Sequence, residues 1–164
     1  MTRSPRPTDP CGAALRPILT PSAVQRLQTR AQFQAVMNAG TLAKTPHFVL
    51  HAAVPARTYA NDPAAPKVPA LTGTGPWLGA LVPKRWARHA VTRNLIRRQV
   101  YAVGARHAAA WEAAACVVRL RSGFDRRVFT SARSDALRDA VRGELETLYA
   151  QAGRALAAVK RSVA

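Results

Sequence analysis

KRWARHAVTRNLIRRQVYAV, residues Lys84 to Val103, is the stretch around which the rest of the chain organises. Placed on a wheel at about 100° per residue from Ala90 onward, Val91, Leu95, Ile96, Val100, Ala102 and Val103 fall in one half. Arg93, Asn94, Arg97, Arg98 and Tyr101 fall in the other. The pattern predicts a helix from Ala90 to Arg106 with one side packed on a sheet and three guanidiniums, an amide and a phenol facing solvent. Guanidiniums meet phosphates through paired donors, and Asn can bridge a phosphate, a ribose or a base edge. Arg93 and Arg97 repel each other at i and i+4, which costs an isolated helix a few tenths of a kcal/mol (~0.3) until a polyanion relieves it. An ordinary amphipathic surface helix would carry acids to balance such a face, and this one has none.

Working outward, strand-like segments flank the helix. Trp77 to Val82 is closed by Pro83, and Ala115-Cys116-Val117-Val118-Arg119-Leu120 runs toward Gly123. Toward the N-terminus, Pro21-Ser22 is expected to open a helix through Val24 to Asn38, stopped at Gly40. His47 to Val54 reads as a further strand. Near the C-terminus, Ser131 or Ser134 can cap a last helix with Asp135 and Asp139 in its first turn. Leu137, Val141, Leu145 and Leu148 give that helix a buried stripe. The layout is α-β-β-α-β-α, a compact single α+β domain with a small sheet and helices packed on it.

The chain has 164 residues, with 25 Lys and Arg against 8 Asp and Glu, a formal net charge of +17. Such a charge opposes compaction unless a polyanion neutralises it, and nucleic acid is the first candidate. Between Asp62 and Glu112 there is no carboxylate, while Lys67, Lys84, Arg85, Arg88, Arg93, Arg97, Arg98 and Arg106 all fall there. A membrane-surface helix is also basic and amphipathic, but it prefers a wide face of Trp, Phe and Leu and seldom lies between strands. No apolar run approaches membrane-spanning length. Cys11 and Cys116 are isolated and lack metal-ligand spacing, so a reducing, cytoplasmic setting is expected. Prolines 5, 7, 10, 17 and 21 would break the amphipathic helix of an organelle transit peptide, and residues 1–21 are expected to be a disordered basic tail. The folded α+β domain is then expected to cover 22–153, with a long Pro-rich loop at 55–76 and a basic tail at 154–164.

Protein-borne catalysis finds no support. His47 and His51 lie four apart in an expected strand, a span of about 13 Å that one metal ion cannot bridge without other ligands. No pair of carboxylates is placed for acid–base work. Gly73-Thr74-Gly75 is too short to cradle a phosphate, and no Lys-Ser or Lys-Thr follows. Trp77, Trp86 and Trp111 offer stacking rings, although packing roles are expected for each.

In order and spacing these pieces resemble the protein-subunit family of bacterial ribonuclease P, whose signature is an Arg-Asn-Arg helix after a basic Lys-Lys turn. Here the turn is Lys84-Arg85 and the helix carries Arg93-Asn94-Leu95-Ile96-Arg97-Arg98. Leu27 to Met37, with Phe33-Gln34-Ala35-Val36-Met37, is similar to the family's first helix and its Phe-Gln-x-Val-Phe pattern. Gly40, Phe48-Val49-Leu50, Leu78-Gly79, Val117-Val118 and Gly123 follow at the family's spacing, so that the likeness covers roughly residues 25–150.

The resemblance implies a ribosomal-protein-S5-domain-2-like fold with a left-handed βαβ crossover, against the usual right-handed rule. It implies that an RNA subunit, using Mg2+ at its own active site, removes the 5′ leader of precursor tRNA. The protein supplies no catalytic residue and holds no metal, and one copy binds each RNA. Lys84, Arg85, Arg88, Arg93, Asn94, Arg97 and Arg98 are expected on the ribonuclease P RNA, with Phe33, Met37 and His51 lining a cleft for the leader. Flat side chains beside cations suit single-stranded RNA. The chain departs from the family at Leu95, third in the Arg-Asn-Arg triplet, at Met37 for an aromatic, at His51 for a tyrosine, and in its longer 55–76 loop. The rival class is a structural ribosomal or nucleoid-type binder with no role in catalysis. It would share the basic patches and have no need of a cleft joining Phe33 and His51.

Overall fold

A computed structural model describes residues 24–53, 76–111, 114–132 and 134–163. The expected N-terminal tail and, apart from Pro76, the expected Pro-rich loop lie outside the described residues. The elements are β1 (Gln25–Arg26), α1 (Arg30–Asn38), β2 (Thr41–Lys44), β3 (Phe48–Ala53), β4 (Trp77–Leu81), α2 (Ala90–His107), a 3-10 turn (Ala108–Trp111), β5 (Ala115–Leu120) and α3 (Asp135–Val163). They form one mixed sheet in the order β1-β4-β5-β3-β2. β1, β4 and β5 run parallel, and β3 is antiparallel to both β5 and β2.

The sheet has two more strands than expected, and both are too short to show a period. Gln25 and Arg26 pair with Trp77 and Leu78, bracketed by Gln25 N–H to the Pro76 carbonyl (2.9 Å) and Leu27 N–H to the Leu78 carbonyl (3.1 Å). The first helix therefore starts later than Pro21-Ser22. Thr29 caps it: its hydroxyl accepts from Gln32 N–H at 3.3 Å, while the Gln32 side chain accepts from Thr29 N–H at 3.1 Å. β2 returns through Gly40, whose φ of +114° is one that few other residues adopt. The expected C-terminal tail is also corrected, because α3 continues through Val163 and buries Leu156 in the main core.

Alternation along the strands sends side chains to opposite faces. Phe48, Leu50, Leu78, Cys116, Val118 and Leu120 meet Ile96, Val100 and Val103 of α2 and the stripe Leu137, Val141, Leu145 and Leu148 of α3. Within this core Tyr149 donates its hydroxyl to the Val100 carbonyl at 2.9 Å, and burial lifts its phenol well above the ordinary value. Burial likewise pushes the Cys116 thiol up to about 12, leaving it inert. The other face carries a smaller cluster, Leu27, Val36, Ala53, Trp77, Ala115 and Val117, under α1. α2 sits slightly rotated from its wheel: Val91 is exposed and Gln99 is buried, its amide oxygen accepting from Arg142 Nε at 3.2 Å.

Candidate nucleic-acid interface

The basic helix is built as its periodicity requires, with no acid in its first turn. Asn94, Arg97 and Arg98 are exposed, as are Lys84, Arg85 and Arg88 in the preceding turn. Asn94, Arg97, Arg98 and Tyr101 line a shallow concavity of about 590 Å³, closed by Arg26 from the sheet edge. The Arg26 guanidinium stands 4.2 Å from the centroid of the Tyr101 ring and so adds a further cation to this face. Arg93 differs from expectation. Its Nη1 turns back to donate to the carbonyls of Ala87 (3.0 Å) and Arg88 (2.8 Å), pinning the 84–89 connection to the helix.

The acids stand elsewhere. Among the described residues they belong to the β5–α3 connection and to α3. Glu146 pairs with Arg106 and, at 2.6 Å, with His107 at the end of α2. Those bonds, His107 foremost, hold the Glu146 carboxyl below its ordinary value. Arg138 pairs with Asp135 (3.1 Å) and Asp139 (3.8 Å), and Glu144 holds His47 at 2.8 Å. Among the described residues no carboxylate is paired with Lys84, Arg85, Arg88, Arg97 or Arg98.

The opposite face of the sheet, beside α1, carries the three residues expected to hold the leader. Strand register places Gly79, Val117 and His51 in one row across β4, β5 and β3, with Leu81, Arg119 and Val49 in the next row. Neighbouring strands lie about 4.8 Å apart, so Gly79 and His51 stand about 10 Å apart. Phe33 of α1 lies over Gly79, where an added Cβ would come within 2.5 Å of its ring. Phe33 and Met37 are half-buried and pack on the cluster beneath. His51 is half-buried too, and its Nδ1 has no partner. Burial and the nearby Arg119 charge lower its imidazole below the ordinary value, opposed by a hydrogen bond with the Gly40 backbone. Arg119 Nε is likewise buried and unpartnered. Two polar atoms on this one face are therefore without a hydrogen-bond partner within the protein.

A family profile described as Ribonuclease P matches residues 22–148. The chain belongs to that family. It is similar to the ribonuclease P protein component of Paraburkholderia xenovorans strain LB400, 29% identical over 137 residues that make up 82% of this chain and 84% of the relative. The component of Burkholderia mallei strain SAVP1 is 29% identical over 140 residues, 84% and 88% of the two chains. In fold it is similar to the Staphylococcus aureus RNase P protein, with a TM-score of 0.52, 18% identity, and coverage of 76% of this chain and 92% of that one. The RNase P protein from Thermotoga maritima superposes with a TM-score of 0.50 at 20% identity, over 76% and 94%. The chain is thus a protein subunit of bacterial ribonuclease P, an RNA-binding part of a tRNA-processing ribonucleoprotein, and its α+β fold is the family's.

Within this ribonuclease P protein, the expected residues fall into two separate groups. The α2 cations share one surface, while Phe33, Met37 and His51 lie on the far face of the sheet, beside α1. Arg119 and Arg26 were not among the residues singled out. Arg119 interrupts an apolar strand in phase with Ala115 and Val117, a signal that was available; Arg26 depends on a contact across the sheet edge, which no local pattern shows. No described helix is long and apolar enough to cross a membrane.

Proposed function

We propose that the subunit docks on ribonuclease P RNA through α2 and holds the 5′ leader of precursor tRNA in the cleft under α1. In this reading Lys84, Arg85, Arg88, Asn94, Arg97 and Arg98 meet phosphates and sugars of the catalytic RNA, with Arg26 extending the surface. Arg93 acts mainly by holding the 84–89 turn in place. The leader stacks a base on Phe33 and Met37, and Arg119 takes a phosphate while His51 offers Nδ1. Hydrolysis falls to the RNA subunit with Mg2+ bound in its own active site. The protein contributes affinity and orientation for the leader, which lowers the Mg2+ the holoenzyme needs. One copy serves each RNA, in the cytoplasm.

The observation that carries this reading is the row Gly79–Val117–His51, which sets Phe33 and His51 on one face beside an unpartnered guanidinium. A protein that only packs on folded RNA has no use for such a cleft. The test is 5′ processing of a precursor tRNA by a bacterial ribonuclease P RNA at low magnesium, with and without the protein. Strong stimulation, absent with an unrelated protein of equal charge, supports the reading. Tight RNA binding without stimulation would assign the chain to structural packing instead.

A further inference from the structure

A second concavity lies on the α2 side of the sheet, between the 84–89 connection and the residues that follow β5. It holds about 210 Å³ and is lined by Trp86, Arg88, Phe124, Arg126 and Phe129 over a floor of Ile96 and Leu137. Of the three tryptophans, Trp77 and Trp111 are buried, whereas Trp86 is 40% exposed. An exposed indole at the wall of an aromatic, cation-rimmed cavity suits a flat group that carries an anion beside it.

The cavity is preformed. Trp86 and Ala87 N–H groups both donate to the Pro83 carbonyl (3.1 and 3.2 Å), fixing the turn. Thr92 donates its hydroxyl to the Ala132 carbonyl at 2.9 Å, tying the first turn of α2 to the far wall. A Cβ on Gly123 would stand 2.9 Å from the Trp86 carbonyl, so the two loops already touch. Phe124 stacks on His47 at 4.1 Å and meets Phe129 edge-on at 5.8 Å. The Arg85 guanidinium stands 5.4 Å from the Trp86 ring centroid and orients it. Asp125, the acid beside the cavity, turns its carboxylate into its own loop and accepts from Arg127 N–H at 2.8 Å. The charge left at the rim is therefore positive.

The volume lies below the roughly 300–1,000 Å³ of drug-sized ligand sites. It suits one planar ring and no larger group. We propose that this cavity is a nucleobase pocket, which takes one unpaired RNA base against Trp86 while Arg88 and Arg126 hold the adjoining phosphate. Proteins read single-stranded RNA in this way, by stacking splayed bases on aromatic rings next to cations. The pocket is separate from the Arg97–Tyr101 surface and from the cleft under α1. It rests on the chain's RNA-binding role and not on the assignment of the leader to the cleft.

The test titrates the full chain with ribonuclease P RNA alone, and separately with precursor tRNA alone, for the unmodified protein and three variants. Trp86→Leu should weaken binding to one of these RNAs by about 5- to 150-fold, the usual range for one lost base stack. Trp86→Phe should stay within about twofold. Neither change should alter the slope of log affinity against log salt, because no phosphate contact is lost. Arg126→Ala should instead lower the magnitude of that slope by about 1. A loss on ribonuclease P RNA places the base in the catalytic RNA, and a loss on the precursor places it in the substrate. Trp86→Leu and Arg126→Ala binding both RNAs as the unmodified protein does would overturn the pocket, and would point to a protein partner for the exposed indole. The unmodified protein in the same titrations shows separately whether the RNA-binding surface works at all.

Discussion

Phe33 rests on Gly79 so closely that β4 has no room for even a methyl group at that position. The glycine seats the ring across the sheet, in the row that ends at His51. Gly79→Ala should push Phe33 out of this seat while leaving its chemistry unchanged. The expected outcome is a loss of about 1 kcal/mol in binding precursor tRNA, short of the ~1–3 kcal/mol of a whole base stack. Mature tRNA, which has no leader, should bind as before. Anisotropy titrations of the two RNAs check this, and equal losses on both would place the leader elsewhere.

Arg93 and Arg97 are one helical turn apart and should behave differently. Arg93 closes the 84–89 turn through two backbone carbonyls, so Arg93→Ala should lower unfolding stability by about 1–2 kcal/mol. Arg97 is exposed, and its replacement should change stability by no more than about 0.5 kcal/mol. It should weaken ribonuclease P RNA binding and reduce the magnitude of the salt slope by about 1. Chemical denaturation and a salt series on both single variants separate the two roles. Two variants alike in stability would contradict the Arg93 contacts.

His51 is depressed below its ordinary 6.5, chiefly by burial and further by Arg119. The folded protein therefore resists a proton that the unfolded chain accepts. Stability from this group is complete above pH 6.5 and is lost as pH falls through 6.5 toward the lower folded value. His51→Gln should flatten that part of the stability profile. A leader phosphate beside Arg119 would raise the imidazole, so leader affinity should increase as pH falls from about 7 to about 5.5. An NMR titration of His51 with a midpoint at or above 6.5 in the free protein would count against the burial.

α2 was legible from its helical period over 18 residues, and β3, β4 and β5 as largely apolar runs of five or six residues, β4 stopping before Pro83 and β5 before Gly123. β1 and β2 were not, since two or four residues carry no period and exist only through their partners. The end of α3 was read as a tail because its charges hid Leu156, which the main core buries. The cations of α2 were identifiable as a face, but Arg93's inward turn depends on the carbonyls of a loop whose path only the fold sets. Trp86 looked like its two buried counterparts because composition does not distinguish an indole in a core from one at a cavity wall.

Arg119 gives the most direct test of the cleft. A half-buried guanidinium in the row between Leu81 and Val49, with Nε unpartnered, contributes little to the fold of the free protein. Arg119→Ala should therefore leave thermal stability within about 0.5 kcal/mol or raise it, because a buried donor without a partner is removed. Precursor binding should weaken, and the salt slope for precursor should fall in magnitude by about 1, as it does when one phosphate contact is lost. Binding to ribonuclease P RNA alone should be unaffected, since α2 lies on the other side of the sheet. Arg119→Lys should recover the salt slope but only part of the affinity, because an ammonium keeps the charge and loses the planar paired donors. If Arg119→Ala instead weakened both RNAs equally, the row beside His51 would belong to the docking surface, and the leader would have to be sought away from α1.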